Sequence, residues 1–84
     1  MTGARISVIG AGAWGTALAN AIAHPHRSVT LYARDRRTVD EIAKNGTNEA
    51  HLPGATISAD ITPTDSLEKA AAAEGELVAA SATE

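Results

Sequence analysis

Glycines spaced as Gly10-x-Gly12-x-x-Gly15 offer a chemistry that needs no reactive side chain, because backbone N–H groups at such a turn can gather around an anion. Gly10 lets the chain turn sharply off a strand, and Gly12 lacks the Cβ that would hold a phosphate away from the backbone. Gly15 lets the following helix lie close to a sheet. Free N–H groups of the first helical turn, around Ala13 and Trp14, then face the ligand, and the positive end of the helix dipole adds to their attraction. The ligand that fits such a turn is a dinucleotide pyrophosphate.

That chemistry requires a strand before the glycines and a helix after them. Residues 5–9 read as a short buried strand, and Trp14, Ala17, Leu18, Ala21 and Ile22 recur at the spacing of one helix face. His24-Pro25-His26-Arg27 ends that helix, and Ser28-Val29-Thr30-Leu31-Tyr32 supplies a second β-rich run, completing a βαβ unit. Further on, Asp35 is placed to cap a helix over 36–44, with Val39, Ile42 and Ala43 at helical spacing and Gly46 placed to end it. Residues 45–54 carry dense turn chemistry and predict an ordered loop, followed by a brief extended piece near 55–58. Leu67 and the alanines at 70–73 favour a helix from 64 or 65 to about 73, and residues 76–80 read as one more strand. The expected fold class is therefore α/β, a Rossmann-like half domain with a parallel sheet of about three strands and flanking helices. Residues 1–84 are expected to form a single partial dinucleotide-binding domain.

The end of the second strand is where such sites choose between NAD and NADP. In Tyr32-Ala33-Arg34-Asp35-Arg36-Arg37, small Ala33 leaves room beside Arg34, whose planar fork suits a 2′-phosphate or can lie over adenine. NADP is favoured. Asp35 keeps NAD open, since a shift of one residue in the strand end would bring its carboxylate to the ribose. A solvated basic start to the next helix is the plainer alternative, although three arginines fit the helix dipole poorly there.

Composition narrows the remaining classes. With 84 residues the chain makes one small domain, and domains of that size bury only about 60% of their unfolded surface, so stability should be marginal. Phe is absent, so Ile, Val, Leu and alanines must build the core. A net charge of −3 gives no reason to expect nucleic acid or an anionic membrane as partner. The absence of cysteine removes disulfides and thiolate metal sites. The Ala-x-Ala steps after Arg5 superficially resemble a secretory signal, but glycines, Thr16 and Asn20 interrupt the apolar run, and a cytoplasmic location is expected. No stretch approaches the roughly 20 apolar residues of a membrane span. His24-Pro25-His26 reads as turn punctuation rather than a metal clip, no serine has a visible base partner, and no catalytic residue is assigned.

The order strand, GAGAWGTALA (Gly10 to Ala19), VTLYAR (Val29 to Arg34) and NEAHLPG (Asn48 to Gly54) resembles the N-terminal part of bacterial-type NAD(P)-dependent glycerol-3-phosphate dehydrogenases. Tryptophan inside the glycine loop followed by GTALA is far more specific than the glycines alone. The resemblance implies cofactor contacts at Ala13, Trp14 and Arg34, where the family often has serine in place of Ala13. His51 stands where the family usually has an aromatic residue. It also implies, for an intact relative, hydride exchange between the nicotinamide and carbon 2 of sn-glycerol 3-phosphate, giving dihydroxyacetone phosphate and feeding phospholipid synthesis. The family's V-P-(S/T) turn, its later lysine and its helical substrate domain have no counterpart in these residues, so this chain is expected to bind cofactor without turnover. The alternative is a non-enzymatic nucleotide-binding or interaction module, pairing with itself or with a full-length relative through an open sheet edge.

Overall fold

Strands and helices alternate through the described residues, as the βαβ reading requires. The computed structural model describes residues 4–25, 27–72 and 76–79. Its elements are β1 (Ala4–Ile9), α1 (Ala13–Ile22), β2 (Arg27–Tyr32), α2 (Arg36–Asn45), β3 (Ile61–Thr64), α3 (Leu67–Ala72) and β4 (Glu76–Ala79). The strands form one four-stranded sheet in the order β3-β2-β1-β4, and every pairing is parallel.

Register decides which side chains share a face. Ile6 lies beside Val29 and Val8 beside Leu31, while Val29 and Leu31 lie beside Ile61 and Pro63. Since side chains alternate along a strand, these residues point to one side. There Val8, Val29, Leu31 and Ile61 pack with Ala19 of α1 and with Val39 and Ile42 of α2 into the apolar core. Leu31 and Val8 are fully buried, and each such side chain contributes about 1.5–3 kcal/mol. The opposite face carries Ser7, Thr30, Tyr32, Thr62 and Thr64 and is partly covered by short α3, whose Ala70 is buried, while Thr62 stays exposed. Ser7 Oγ donates to the Ala70 carbonyl at 2.8 Å, so this contact is partly polar.

The structure differs from the sequence reading at three places. The buried residues of α1 are Gly15, Thr16 and Ala19, with Leu18 and Ile22 only partly buried, whereas Trp14 and Ala21 are exposed. Small residues occupy the inner face because the helix lies close to the sheet, and a tryptophan would hold it away. Residues 55–58, expected only as a brief extended piece, lie outside the sheet. Asn20 clamps them against α1 instead, donating to the Thr56 carbonyl at 2.9 Å and accepting from the Ser58 N–H at 2.8 Å.

The strand that does join is β3, which adds a fourth strand to the sheet and contains Pro63. Carbonyls of Asp60 and Thr64 accept from Val29 and Ala33, so the even-numbered residues of β3 face β2. The nitrogen of Pro63 therefore faces the open edge, where its missing N–H costs no ladder bond and offers nothing to an incoming strand. Finally, α3 starts at Leu67 rather than at 64 or 65. Ser66 caps it, its Oγ accepting from the Lys69 N–H at 3.1 Å. The expected turn residue His26, the helix end at Ala73, the strand end at Ala80 and residues 81–84 lie outside the described residues.

Candidate dinucleotide site

The chain builds β1, β2 and β3 outward in one direction and then returns to place β4 on the other side of β1. Parallel α/β sheets bind ligands at the carboxyl ends of their strands where the winding reverses. The loop leaving β1 at that point is Gly10 to Gly12. Gly10 has φ 114°, a conformation that a side chain rarely tolerates, and its N–H donates to the Tyr32 carbonyl at 3.1 Å. That bond ties the turn to the end of β2.

Gly12 is the N-cap of α1 and makes no side-chain cap bond, and the first turn of the helix holds no acidic residue. The first N–H groups of an α-helix have no partner within the helix, so this end presents donors and positive potential without an internal anion to satisfy them. Ala13 and Trp14 are exposed above it, Trp14 by 61%, while Gly15 and Thr16 turn inward. The five loop residues singled out from the sequence thus share one turn, and Arg34 stands at the neighbouring strand end. Buried Ala33 follows β2 directly, its N–H donating to the Thr64 carbonyl at 2.8 Å, and Arg34 beyond it is exposed.

Asp35 is otherwise engaged. Its carboxylate caps α2, accepting from the Arg37 N–H at 3.0 Å, and Gly46 closes the same helix in the left-handed conformation with its N–H on the Ile42 carbonyl. The run of arginines also separates into different roles. Arg36 pairs with Asp40 at 3.2 Å and with Asp65 at 3.4 Å, both on the surface. Among the described residues Arg34 has no ion-pair partner. These features fit a dinucleotide. An uncapped helix start would face the diphosphate, and an uncommitted guanidinium stands one strand away.

Two residues without an assigned role in the sequence reading lie beneath the turn. Asn48, fully buried, donates through Nδ2 to the Ala11 carbonyl at 3.1 Å and to Thr16 Oγ1 at 2.9 Å. Thr16 Oγ1 donates to the same Ala11 carbonyl at 3.1 Å. His51 Nδ1 lies 3.2 Å from Asn48 Oδ1 and is placed to donate to it, so this ring ties the loop to the buried amide. A polar side chain in a loop motif was the available signal, but its partners lie 32 and 37 positions away in the chain. Glu41 anchors the loop from below, accepting from the Glu49 N–H at 2.9 Å and the Thr47 hydroxyl at 2.7 Å. Those two bonds, in that order, hold its carboxyl below the ordinary value of 4.5; His51 adds a little, and partial desolvation opposes. Among the described residues no group of three or more His, Cys, Asp or Glu is arranged for a metal, and no helix is long and apolar enough to cross a membrane.

Fold and site together define a Rossmann-type dinucleotide-binding half domain. Residues 5–84 match the family model for the NAD-dependent glycerol-3-phosphate dehydrogenase N-terminus. The chain is 50% identical over 74 residues to the Azorhizobium caulinodans protein named glycerol-3-phosphate dehydrogenase (NAD(P)+), a match covering 88% of this chain and 23% of that protein. It is 51% identical over 73 residues to the protein of the same name from Afipia carboxidovorans, covering 87% of this chain and 22% of the relative. The crystal structure of glycerol-3-phosphate dehydrogenase from Coxiella burnetii superposes with a TM-score of 0.77 at 29% identity, over 92% of this chain and 24% of that one. The chain belongs to the NAD-dependent glycerol-3-phosphate dehydrogenase N-terminal family and spans less than a quarter of the length of these two curated relatives.

Proposed function

We propose that these residues form the cofactor-binding part of an NAD(P)-dependent glycerol-3-phosphate dehydrogenase, with Gly10, Gly12, Ala13, Trp14 and Gly15 around the pyrophosphate and Arg34 at the adenosine ribose. The observation that carries this reading is the start of α1, which has neither a side-chain cap nor an acid in its first turn and sits at the switch point of the sheet. NADP is the favoured cofactor, because Asp35 is committed to capping α2 while Arg34 is exposed beside small Ala33.

When bound, the nicotinamide dinucleotide supplies or accepts the hydride. The part of this chain is to hold and orient it. Backbone donors of the first turn would hold the diphosphate and the Arg34 fork would take the 2′-phosphate, with Trp14 exposed at the same turn. In an intact relative the reaction would interconvert dihydroxyacetone phosphate and sn-glycerol 3-phosphate, supplying phospholipid synthesis in the cytoplasm. No residue of this chain is assigned to substrate binding or proton transfer, so these residues alone should bind cofactor without turnover.

Trp14 is the only tryptophan, so its fluorescence reports on the loop itself. Titrating NADPH should change that fluorescence and raise the melting temperature, because a ligand of the folded state stabilises it by mass action. A folded chain giving flat traces in both measurements would contradict the proposal.

A further inference from the structure

We infer that Asn48 is a positioning residue for the glycine turn, holding the Ala11–Gly12 peptide plane so that the Gly12 N–H faces the diphosphate. The inference rests on the dinucleotide reading above and adds to it a residue from a distant loop. A peptide bond is planar, and in the trans form its carbonyl and N–H point in opposite directions. No peptide bond among the described residues is cis. The Ala11 carbonyl accepts from both Asn48 Nδ2 and Thr16 Oγ1, which draws it inward. Consequently the Gly12 N–H on the same plane is turned away from those two residues.

The carboxamide is suited to this task because each of its polar hydrogens is used. One goes to Ala11, the other to Thr16 Oγ1, and Oδ1 lies against His51 Nδ1. Reversing the amide would set Oδ1 against the Ala11 carbonyl oxygen, so the network admits one orientation. With Asn48 and Thr16 both fully buried, water cannot replace either donor. If both were lost, the Ala11 carbonyl would be unsatisfied and the plane free to turn, swinging the Gly12 N–H off the ligand. His51 and the backbone of the 48–54 loop thereby become coupled to the turn, since His51 and Leu52 donate their N–H groups to the Asn48 carbonyl.

The test compares NADPH, which carries a diphosphate, with 2′-AMP, which carries the adenosine half alone, on the wild-type chain and on Asn48→Asp, Thr16→Val and Thr16→Ser. Asn48→Asp replaces the donor by a buried acceptor, and NADPH should bind about tenfold or more weakly while 2′-AMP changes by less than about twofold. Thr16→Val should show a smaller loss for NADPH alone, and Thr16→Ser should restore it by returning the hydroxyl. Equal losses for both ligands would mark Asn48 as purely structural and overturn the inference, as would variants that bind NADPH like wild type. Should Asn48→Asp fail to fold, the threonine pair decides, and Thr16→Val matching Thr16→Ser overturns it. A wild-type chain that binds neither ligand would instead remove the dinucleotide reading itself.

Discussion

Helices α1 and α2 both begin just past the carboxyl end of a parallel strand, but their first turns are finished differently. At α2 the Asp35 carboxylate accepts from the Arg37 N–H, and the helix start is satisfied by its own chain. At α1 the cap is Gly12, without a side chain to offer, and the turn contains no acid. The second arrangement leaves little helix stability unrealised, since glycine is itself tolerated as a cap and falls short of Asp or Ser by only about a few tenths of a kcal/mol. Similar backbone geometry thus serves structure in one helix and, as proposed, a ligand in the other, and the cap residue makes the difference.

Gly12→Asp would give α1 the kind of cap that α2 has. A carboxylate there takes the donors and repels a diphosphate, so NADPH affinity should fall by about a hundredfold or more, read by Trp14 fluorescence. If binding survives, the two helix starts are not functionally distinct. Arg34→Ala leaves both caps intact and should weaken NADPH about tenfold while sparing NADH, because only NADPH carries the 2′-phosphate. Equal losses for the two cofactors would mean that Arg34 does not reach that phosphate.

Asp35→Ala removes the α2 cap and should lower stability by about 1 kcal/mol in denaturant unfolding, with NADPH affinity unchanged. A loss confined to NADH would instead place that carboxylate on the ribose. A milder effect is expected from acid. Glu41 has a folded-state pKa below its ordinary value of 4.5, so its contribution is present above about that pH and is lost as pH falls through the lowered value. Melting temperature should therefore drop below pH 4.5 in the wild type, and Glu41→Gln should lessen that drop without disturbing binding at neutral pH.

Features set by neighbouring residues could be read from the sequence. The glycine turn after β1, the Asp35 cap and the Gly46 stop each depend on a few consecutive positions, and the structure places them as expected. The parallel half domain follows from the βαβ spacing. Hydrophobic pattern misled at α1, where Trp14 matched the helical period but the close approach of helix and sheet selects Gly15, Thr16 and Ala19 for the inside. Strand β3 was hidden because Pro63 argues against a strand unless the open edge lies on its nitrogen side, a fact of topology rather than of local sequence. The link from Asn48 to the glycine turn was likewise unreadable, since only the folded chain brings that loop under Ala11.

The first-turn amides of α1 are the ligand's proposed donors, and backbone amide chemical shifts followed during an NADPH titration test that role directly. Large shifts at Gly12, Ala13, Trp14 and Gly15, with the amides of Arg36, Arg37 and Thr38 at the capped start of α2 little changed, are predicted. Shifts concentrated at α2, or none at the glycine turn of a chain that binds NADPH, would contradict it.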